Sequence, residues 1–285
     1  QAPSPGVHPF RITGHGVEIF PAAPVRDDSG AMASPRSAAR AEMRVAMGVP
    51  GLDAMLGGGL PAGYSLLIAG PSGSGKTILA TAFLAEGVRR GETGVIVAFE
   101  QTPSQSLTPT LDDMVRAGQI GLINTRSPDL SVDEIVQHLI DMIARMKASR
   151  IVIDSLSGFE LAVAPSFRED FRESLFRMVA VLSNLGVTVL LTSELEDRYI
   201  DLRFSPYGSA FLTDAIIVQR YIEVDSRLKR VMAVVKVRGS AHSNEIRQFA
   251  IGNAGIEIGD PVVDYEGLLG GRPTRTPAPV LAAAG

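Results

Sequence analysis

The chain has 285 residues, of which 45% are hydrophobic, so it can build one large domain with appendages or two small domains. It contains no cysteine, which excludes disulfides and thiolate catalysis, and its formal net charge of −4 argues against a general affinity for nucleic acids. No apolar run reaches the roughly eighteen residues that a membrane-spanning helix needs, and we expect a cytoplasmic protein.

The N-terminal segment predicts a hairpin. Residues 1–20 contain two short strand-like runs around a glycine-containing turn, and they resemble the segment at 246–258. Phe10 matches Phe249, and Val-Glu-Ile in the first segment matches Ile-Glu-Ile in the second. We infer that residues 1–20 are the closing hairpin of a preceding, similar domain; the alternative is a chance match. Because the chain begins with Gln1 and not Met, we expect a fragment or a processed chain.

Composition predicts the limits of the folded part. Residues 21–44 are dominated by Ala, Pro, Ser and Arg, which bury little surface together, and we expect an interdomain linker there. Residues 272–285 contain three prolines and no periodicity, and we expect a mobile tail. The folded domain is therefore expected at 45–271.

Within this domain, apolar runs alternate with segments of helical periodicity near 135–146 and 171–185. The runs are typical of parallel strands buried on both faces: Ser65–Ala69, Gly94–Phe99, Gly121–Asn124, Arg150–Asp154 and Val187–Thr192. The alternation predicts a doubly wound α/β fold with a mostly parallel sheet between helices. After Thr213 the pattern changes to strands and turns, which predicts an antiparallel extension of the sheet at Ala215–Glu223, Leu228–Val237, Glu245–Ile251 and Ile256–Ile258.

The segment Gly70–Thr77 (GPSGSGKT) fits the pattern GxxxxGK[ST] of phosphate-binding loops. It follows an apolar strand and precedes a helix, which is the context that such a loop requires. Glycines let successive backbone N–H groups point at phosphate oxygens, and the helix N-terminus adds partial positive charge. The alternative is a glycine-rich turn without a ligand. The segment predicts ATP binding by Ser72, Gly73, Ser74, Gly75, Lys76, Thr77 and Ile78.

Two side chains of this loop and one beyond it have predicted roles. Lys76 is expected to reach the β- and γ-phosphates, and the hydroxyl of Thr77 is expected to ligate Mg²⁺. Asp154 ends an apolar run, so it lies at the strand end where α/β sheets bind ligands. We therefore predict a Mg²⁺ site of Thr77 and Asp154. The alternative for Asp154 is a helix N-cap, a role that Ser155 could also fill.

Glu100 follows the apolar run that ends at Phe99. Hydrolysis needs a base that orients the attacking water, and the strand before Glu100 is expected to end at the same sheet edge as the loop. We predict that Glu100 is the catalytic base. The alternative is a solvated acid at a strand end.

A basic strand is predicted near the end of the domain. Arg230, Lys236 and Arg238 have the same parity, so a regular strand carries all three on one face. Such a face is commonly just solvated. A phosphoryl-transfer site, however, uses positive charge from beyond its own loop, and a neighbouring subunit can supply it as an arginine finger. We predict that Arg238 has this catalytic role, with His242 just beyond it.

Taken together, these residues resemble the KaiC branch of the RecA-like ATPases, the circadian-clock family. The resemblance covers about residues 45–275 and rests on several motifs: Gly48–Asp53, Gly57–Leu60, the phosphate loop, Ala98–Glu100, Ile153–Ser157, Leu212–Asp214 and Lys236–Ser240. It implies a RecA-like P-loop NTPase fold and an ATPase that uses ATP and Mg²⁺. By this resemblance the chain corresponds to the second domain of a two-domain protein.

The resemblance also implies an assembly. The family forms ATP-dependent hexamers with ATP at the subunit interfaces, so we expect a homo-oligomer with possible regulatory protein partners. Glu100 is implied to activate the attacking group. A set of residues is implied to touch the nucleotide of the adjacent subunit: Arg230, Lys236, Val237, Arg238 and His242.

The sequence departs from the family at three places. Gln101 stands where the family has a second carboxylate after Glu100. Ala210-Phe211 stand where the family has an adjacent Ser-Thr phosphoacceptor pair, so self-phosphorylation at those positions is excluded because neither side chain has a hydroxyl. The segment Arg272–Gly285 is shorter than the family's partner-recruiting tail.

Three functions are compatible with the sequence. The leading hypothesis is ATP hydrolysis coupled to shape change in a ring, with signalling or timing as the output. The second is a serine/threonine autokinase that uses another hydroxyl, of which Ser205, Ser209 and Thr213 lie nearby. The third is a DNA-binding ATPase of the RecA/RadA type, for which the segment at 196–211 contains basic and aromatic residues. Acidic residues intermingle with them, so nucleic acid is not an expected partner. A membrane is not expected either, because no apolar run is long enough to span one.

Overall fold

A computed structural model describes residues 9–20, 42–99, 108–124, 131–163, 171–195, 212–270 and 273–275. Several features predicted from the sequence lie outside these ranges, namely Glu100 with Gln101, the segment at 196–211 that ends in Ala210-Phe211, and most of the linker and tail. Across the ranges that are described, no helix has both the length and the hydrophobicity needed to span a membrane.

The strands, in chain order, are β1 (Phe10–Thr13), β2 (Gly16–Ile19), β3 (Arg44–Val45), β4 (Leu60–Pro61), β5 (Ser65–Gly70), β6 (Gly94–Ala98), β7 (Ile120–Asn124), β8 (Arg150–Asp154), β9 (Thr188–Glu194), β10 (Ala215–Val224), β11 (Arg227–Val237), β12 (Arg247–Gly252), β13 (Gly255–Pro261), β14 (Tyr265–Glu266) and β15 (Thr274–Arg275). The helices are α1 (Pro50–Met55), α2 (Lys76–Arg89), α3 (Pro109–Arg116), α4 (Val132–Met146), α5 (Leu156–Ala162) and α6 (Phe171–Asn184). Arg44, which the composition assigned to the linker, pairs with Pro61 in the folded domain.

One sheet of nine strands forms the centre of the domain, in the order β13-β12-β11-β10-β5-β9-β8-β6-β7. Neighbours from β10 to β7 run parallel. Neighbours from β10 to β13 run antiparallel. The prediction of a mostly parallel sheet with an antiparallel extension is confirmed, and the strand bounds agree with the predicted ones to within a few residues.

Helices cover both faces of this sheet because its parallel strands are apolar on both sides. Every residue of β5 and β6 is buried. Helices α4, α5 and α6 pack on one face, which we call the α4 face, through residues such as Leu139 and Leu175. Helices α1, α2 and α3 pack on the other face, the α2 face, through residues such as Leu52 and Phe83. The carboxyl ends of the parallel strands therefore meet at one edge between the two helix layers, which we call the loop edge.

Arg150, at the start of β8, is only 1% exposed and connects three segments of the core. Its guanidinium donates to the Glu92 carboxylate at 2.7 Å and to the backbone oxygens of Ala46 and Phe83 at 2.7 and 2.8 Å. Gly87 makes room for it, since a Cβ there would lie 2.6 Å from Arg150 Cδ. Burial opposes the ionisation of Glu92, but hydrogen bonds, chiefly from Arg150, lower its pKa below the usual value.

Replacing Arg150 by Met should lower the free energy of unfolding by about 3 kcal/mol at pH 7, because it removes the cation that pairs with Glu92 and donates to two backbone oxygens. Since the pKa of Glu92 is lowered, its contribution is present above the pKa of an unfolded glutamate, about 4.3, and is lost as the pH falls further. The difference between the variant and the wild type should therefore shrink below that pH. Urea denaturation at several pH values measures it.

The control is Arg116→Met, because Arg116 forms an ion pair with Asp112 at the surface, where the two side chains are 76% and 39% exposed. Exposed ion pairs stabilise little, so this variant should unfold at nearly the wild-type urea concentration. Equal losses in the two variants would contradict the role assigned to Arg150.

The N-terminal hairpin is present as predicted, with β1 and β2 antiparallel. It pairs Phe10 with Ile19, and β12–β13 pair Phe249 with Ile258, so the two hairpins share the relative register that the sequence match indicated. The two hairpins differ in burial, since Phe249 is 3% exposed and Phe10 is 65% exposed. The assignment of the first hairpin to a preceding domain stays a prediction.

Candidate functional site

The loop Gly70–Thr77 leads from the end of β5 into α2, in the strand-loop-helix context that the sequence predicted. Gly73 and Gly75 have φ angles of 74° and 99°, a left-handed region that other residues rarely adopt. A Cβ on Gly75 would also lie 2.7 Å from Cδ1 of Ile251, so the β12–β13 hairpin packs against the start of α2. The loop is thus built from glycines where the backbone turns and where its neighbour approaches.

Lys76 lies inside this loop. Its ammonium donates to the backbone oxygens of Gly70 and Pro71, both at 2.8 Å. Burial lowers the pKa of Lys76 from its usual value, and the negative charges of Glu194 and Asp154 oppose that change. A cation held among loop carbonyls and removed from water is placed to exchange those oxygens for phosphate oxygens.

Thr77 and Asp154 meet at the loop edge, as predicted for a metal site. The Thr77 hydroxyl donates to Oδ2 of Asp154 at 2.7 Å, and the Thr192 hydroxyl donates to Oδ1. Asp154 is not the cap of the helix that follows, because the hydroxyl of Ser155 accepts from the backbone N–H of Gly158 and caps α5. Its carboxylate is therefore directed at Thr77. A hydroxyl and a carboxylate are the oxygen ligands that Mg²⁺ prefers.

The strand before Glu100 ends beside Asp154. Ala98 pairs with Asp154 across β6 and β8, and the backbone N–H of Phe99 donates to the backbone oxygen of Asp154 at 3.3 Å. Glu100 itself lies outside the described residues. The prediction that it is the catalytic base therefore stays a prediction, supported by where its strand ends.

The basic residues of β11 do not share one face, so that prediction is wrong. Lys236 pairs with Ile216 and Val234 pairs with Ile217, which leaves Val235 as an extra residue in a β-bulge. A single extra residue reverses the alternation of side chains along a strand. Consequently Arg230 lies on the α2 face, whereas Lys236 and Arg238 lie on the opposite side of the strand.

Strand β11 also places its basic residues at opposite edges of the sheet. Tyr221, which pairs with Arg230, lies on β10 past the residue that pairs with Ala69 at the end of β5. Val237 instead pairs with Ala215, which in turn pairs with Leu66 near the start of β5. Arg230 is therefore near the loop edge, and Lys236, Val237 and Arg238 are at the opposite edge. In one chain, the structure does not bring Lys236 and Arg238 to the phosphate loop.

At that opposite edge the cations have defined neighbours. The Lys236 ammonium donates to the backbone oxygen of Thr213 at 2.7 Å. Burial lowers the pKa of Lys236, and the positive charge of Arg238 lowers it further. The Arg238 guanidinium lies 3.5 Å from the Asp214 carboxylate, and its side chain is 62% exposed. Ser65 fixes that carboxylate through a hydrogen bond of 2.9 Å. The guanidinium is thus oriented and still accessible at the surface.

Val237 and His242, which also belong to the predicted set, differ from these cations. The side chain of Val237 is buried in the core of the α2 face, so only its backbone is available to a ligand. Nδ1 of His242 lies 3.0 Å from the backbone oxygen of Ser243. The ring is therefore held near the end of α1, because the Ser243 backbone N–H donates to the Met55 oxygen.

Arg230 lies beside its own chain's loop. Its guanidinium stacks over the ring of Tyr221, 5.4 Å from the centroid. The Tyr221 hydroxyl lies 3.2 Å from where a Cβ on Gly73 would be. Nε of Arg230 is buried and has no hydrogen-bond partner within the described part of the chain. This position was not predicted, because the sequence does not show which strand end faces the loop.

A cavity of about 520 Å³ lies along α2 and begins at Ile78, directly after the loop. It is bounded by Ile78, by the start of α3 at Thr108–Thr110 and by the hairpin turn at Gly252–Gly255, which includes Asn253. Of these, only Ile78 was predicted as a site residue. Thr108 and Asn253 were missed because each stands in a segment whose pattern indicates only a helix cap or a turn.

This arrangement defines the class of the protein. A phosphate loop on the central strand of a mostly parallel sheet, with a carboxylate at the end of a nearby strand, is the site of a RecA-like P-loop NTPase. A profile of the family described as ATPase: KaiC matches residues 45–263. The chain belongs to the KaiC family of ATPases.

Known relatives agree with this assignment. The chain is 31% identical over 276 residues to the circadian clock oscillator protein KaiC of Picosynechococcus sp., covering 95% of the chain and 51% of that protein. It is 30% identical over 281 residues to the circadian clock protein KaiC3 of Synechocystis sp., covering 94% of the chain and 54% of that protein. The chain thus spans about half the length of these relatives.

A solved structure is also similar. A KaiC-like protein from Pyrococcus horikoshii superposes with a TM-score of 0.68 at 29% sequence identity, covering 76% of this chain and 99% of that one. The likeness confirms the predicted RecA-like fold and the family resemblance.

Proposed function

We propose that this chain binds ATP with Mg²⁺ and hydrolyses it. The observation that carries this proposal is the contact of 2.7 Å between Thr77, at the start of the loop helix, and Asp154. Together they offer a hydroxyl and a carboxylate next to Lys76, which is the donor set that a magnesium-bound triphosphate needs. The metal would offset charge on the phosphates, while Lys76 and the loop N–H groups bind and orient them.

The cavity beside the loop supports binding of a whole nucleotide. It begins at Ile78, one residue beyond the end of the phosphate loop, and its volume of about 520 Å³ is in the range of small-ligand sites. Ile78 and Ala82 give it an apolar side, and Asn253 and Thr108 give it hydrogen-bonding groups. The phosphates in the loop and the base in this cavity account for both ends of ATP.

The separation of the basic residues supports a site made by two copies of the chain. Lys236 and Arg238 lie at the sheet edge opposite to Lys76, so they reach a phosphate loop only if that loop belongs to another copy. A contact between the loop edge of one copy and the opposite edge of the next is head-to-tail, and repetition of such a contact forms a ring when the rotation between copies closes and a filament when it does not. We infer a ring, a hexamer by the family resemblance, in which hydrolysis changes the subunit interface. Signalling or timing through protein partners would be its output.

Thr213 does not support an autokinase role, since its side chain is fully buried. Ser205 and Ser209, together with the segment predicted to face DNA in a recombinase, fall outside the described residues. No observation on the described chain therefore favours either alternative function over hydrolysis.

Asp154→Asn tests the metal site. The amide keeps the size of the side chain but loses the charge, so the Mg²⁺ concentration that gives half-maximal ATP hydrolysis should rise by about 10- to 100-fold. Phosphate release from ATP, measured across a Mg²⁺ titration, gives this value for each protein. Asp141→Asn, on the exposed side of α4, is the matched control and should behave as the wild type does. An unchanged Mg²⁺ dependence in Asp154→Asn would rule out the assignment.

A further inference from the structure

Directly beneath the phosphate loop lies a polar side chain that the proposed hydrolysis does not use. Gln219 on β10 is fully buried, with 0% of its surface exposed. Its Oε1 accepts a hydrogen bond of 2.9 Å from the hydroxyl of Ser74, which is itself 1% exposed. An amide in the core normally has all its hydrogen-bonding groups satisfied, because an unmet one costs free energy. The Nε2 of Gln219 has no partner among the residues that the structure describes.

Gly70 provides the room for this pair. A Cβ on Gly70 would lie 2.8 Å from the Ser74 hydroxyl and 2.9 Å from Cβ of Gln219. The first glycine of the loop is therefore needed because Ser74 and Gln219 fill the space beside it. The contact ties the middle of the loop to the adjacent parallel strand, so the orientation of the Ser74 backbone depends on Gln219.

The backbone on either side of Ser74 is held by other contacts. The Gly70 oxygen accepts from the Leu195 backbone N–H at 3.1 Å and from the Lys76 ammonium at 2.8 Å, and the Pro71 oxygen accepts from the Ser74 backbone N–H at 3.3 Å. Gln219 therefore acts on the loop through the side chain of Ser74.

We propose that Gln219 is a positioning residue of the phosphate loop, which holds Ser74, and with it the middle of the loop, in the orientation that binds phosphate. This inference rests on the proposed ATP binding and adds the residue that sets the loop's affinity for phosphate. Gln219 itself touches no phosphate and acts only through Ser74.

Two variants of the 285-residue chain test the proposal. Gln219→Met keeps the length of the side chain without its polar groups, and Ser74→Ala removes only the hydroxyl. Dissociation constants for ADP and for adenosine are measured by displacement of a fluorescent ADP analogue. Adenosine is the internal reference because it has no phosphate for the loop to bind. Gln137→Leu, on the solvent side of α4, is the control for loss of a glutamine and should bind as the wild type does.

The expected result is a selective loss of phosphate-dependent affinity. The Kd for ADP should rise about 10-fold in Gln219→Met, which leaves the buried Ser74 hydroxyl without its acceptor, and about 3-fold in Ser74→Ala, which removes that hydroxyl together with its hydrogen bond. The Kd for adenosine should stay within about twofold in both. Since Gln219 acts through Ser74, the double variant should be no weaker than Gln219→Met alone.

Two outcomes would overturn the proposal. One is an ADP affinity within about twofold of wild type in Gln219→Met. The other is an equal loss for ADP and adenosine, which would show a general effect on the fold. A wild-type chain that does not bind ADP would overturn the proposed function itself, and this inference with it.

Discussion

Mixing two inactive variants, Lys76→Ala and Arg238→Ala, should restore ATP hydrolysis. Each variant alone should lose activity by about 10³, because each lacks a positive charge that offsets charge on the transferred phosphoryl group. The charges lie at opposite edges of the sheet, so each variant retains the half of the site that the other lacks. In randomly mixed rings about a quarter of the interfaces join an intact loop to an intact Arg238.

The measurement is phosphate release from equimolar mixtures that are combined before ATP is added. Light scattering with and without ATP, on the same samples, reports whether rings form. The double variant Lys76→Ala/Arg238→Ala mixed with either single variant is the negative control, since it supplies neither half. Arg145→Ala, at an exposed position of α4, should hydrolyse ATP at the wild-type rate. Mixed rings that recover no activity, or full activity of Arg238→Ala alone, would rule out a site made by two copies of the chain.

Glu100→Gln should reduce turnover by about 10²- to 10⁴-fold while ATP still binds. An amide has the size of the carboxylate but cannot accept the proton of the attacking water. Binding should persist because the phosphate contacts come from the loop, from Lys76 and from the metal ligands. The measurement compares kcat for phosphate release with the Kd for ATP.

Glu173→Gln is the matched control, since Glu173 is exposed on α6 and the exchange is the same. It should leave kcat and Kd unchanged. A Glu100→Gln variant that hydrolyses ATP at the wild-type rate would show that another group activates the water. A variant that fails to bind ATP would move Glu100 from catalysis to binding.

The parts of the fold that depend on local sequence could be predicted. Strands such as β5 and β8 are short apolar runs buried on both faces, and that pattern is visible without any knowledge of their neighbours. The phosphate loop is likewise local, because its glycines and its Lys76-Thr77 pair are fixed by spacing alone. Asp154 could be placed because the end of a buried parallel strand determines the edge at which it lies.

What could not be predicted depends on how strands pair. Gln219 reads as one polar residue in an apolar strand, and only the pairing of β10 with β5 brings it beneath Ser74. Thr108 and Asn253 stand far apart in the chain and meet at the cavity only in the folded domain. Arg230 was placed on the wrong side relative to Lys236 because parity arguments assume a regular strand.

The extra residue at Val235 has a consequence for comparing relatives by sequence. Deleting it would rotate Lys236 and Arg238 by half a turn about the strand and direct them toward the α2 face. The triplet Lys-Val-Arg would remain intact, and an alignment would still score it as a match. Two proteins of this family can therefore share the motif and differ in the face of the strand on which its cations lie. Whether the extra residue is present between Arg230 and Lys236 decides the face on which the two cations lie. An alignment records that difference only as a gap of one residue.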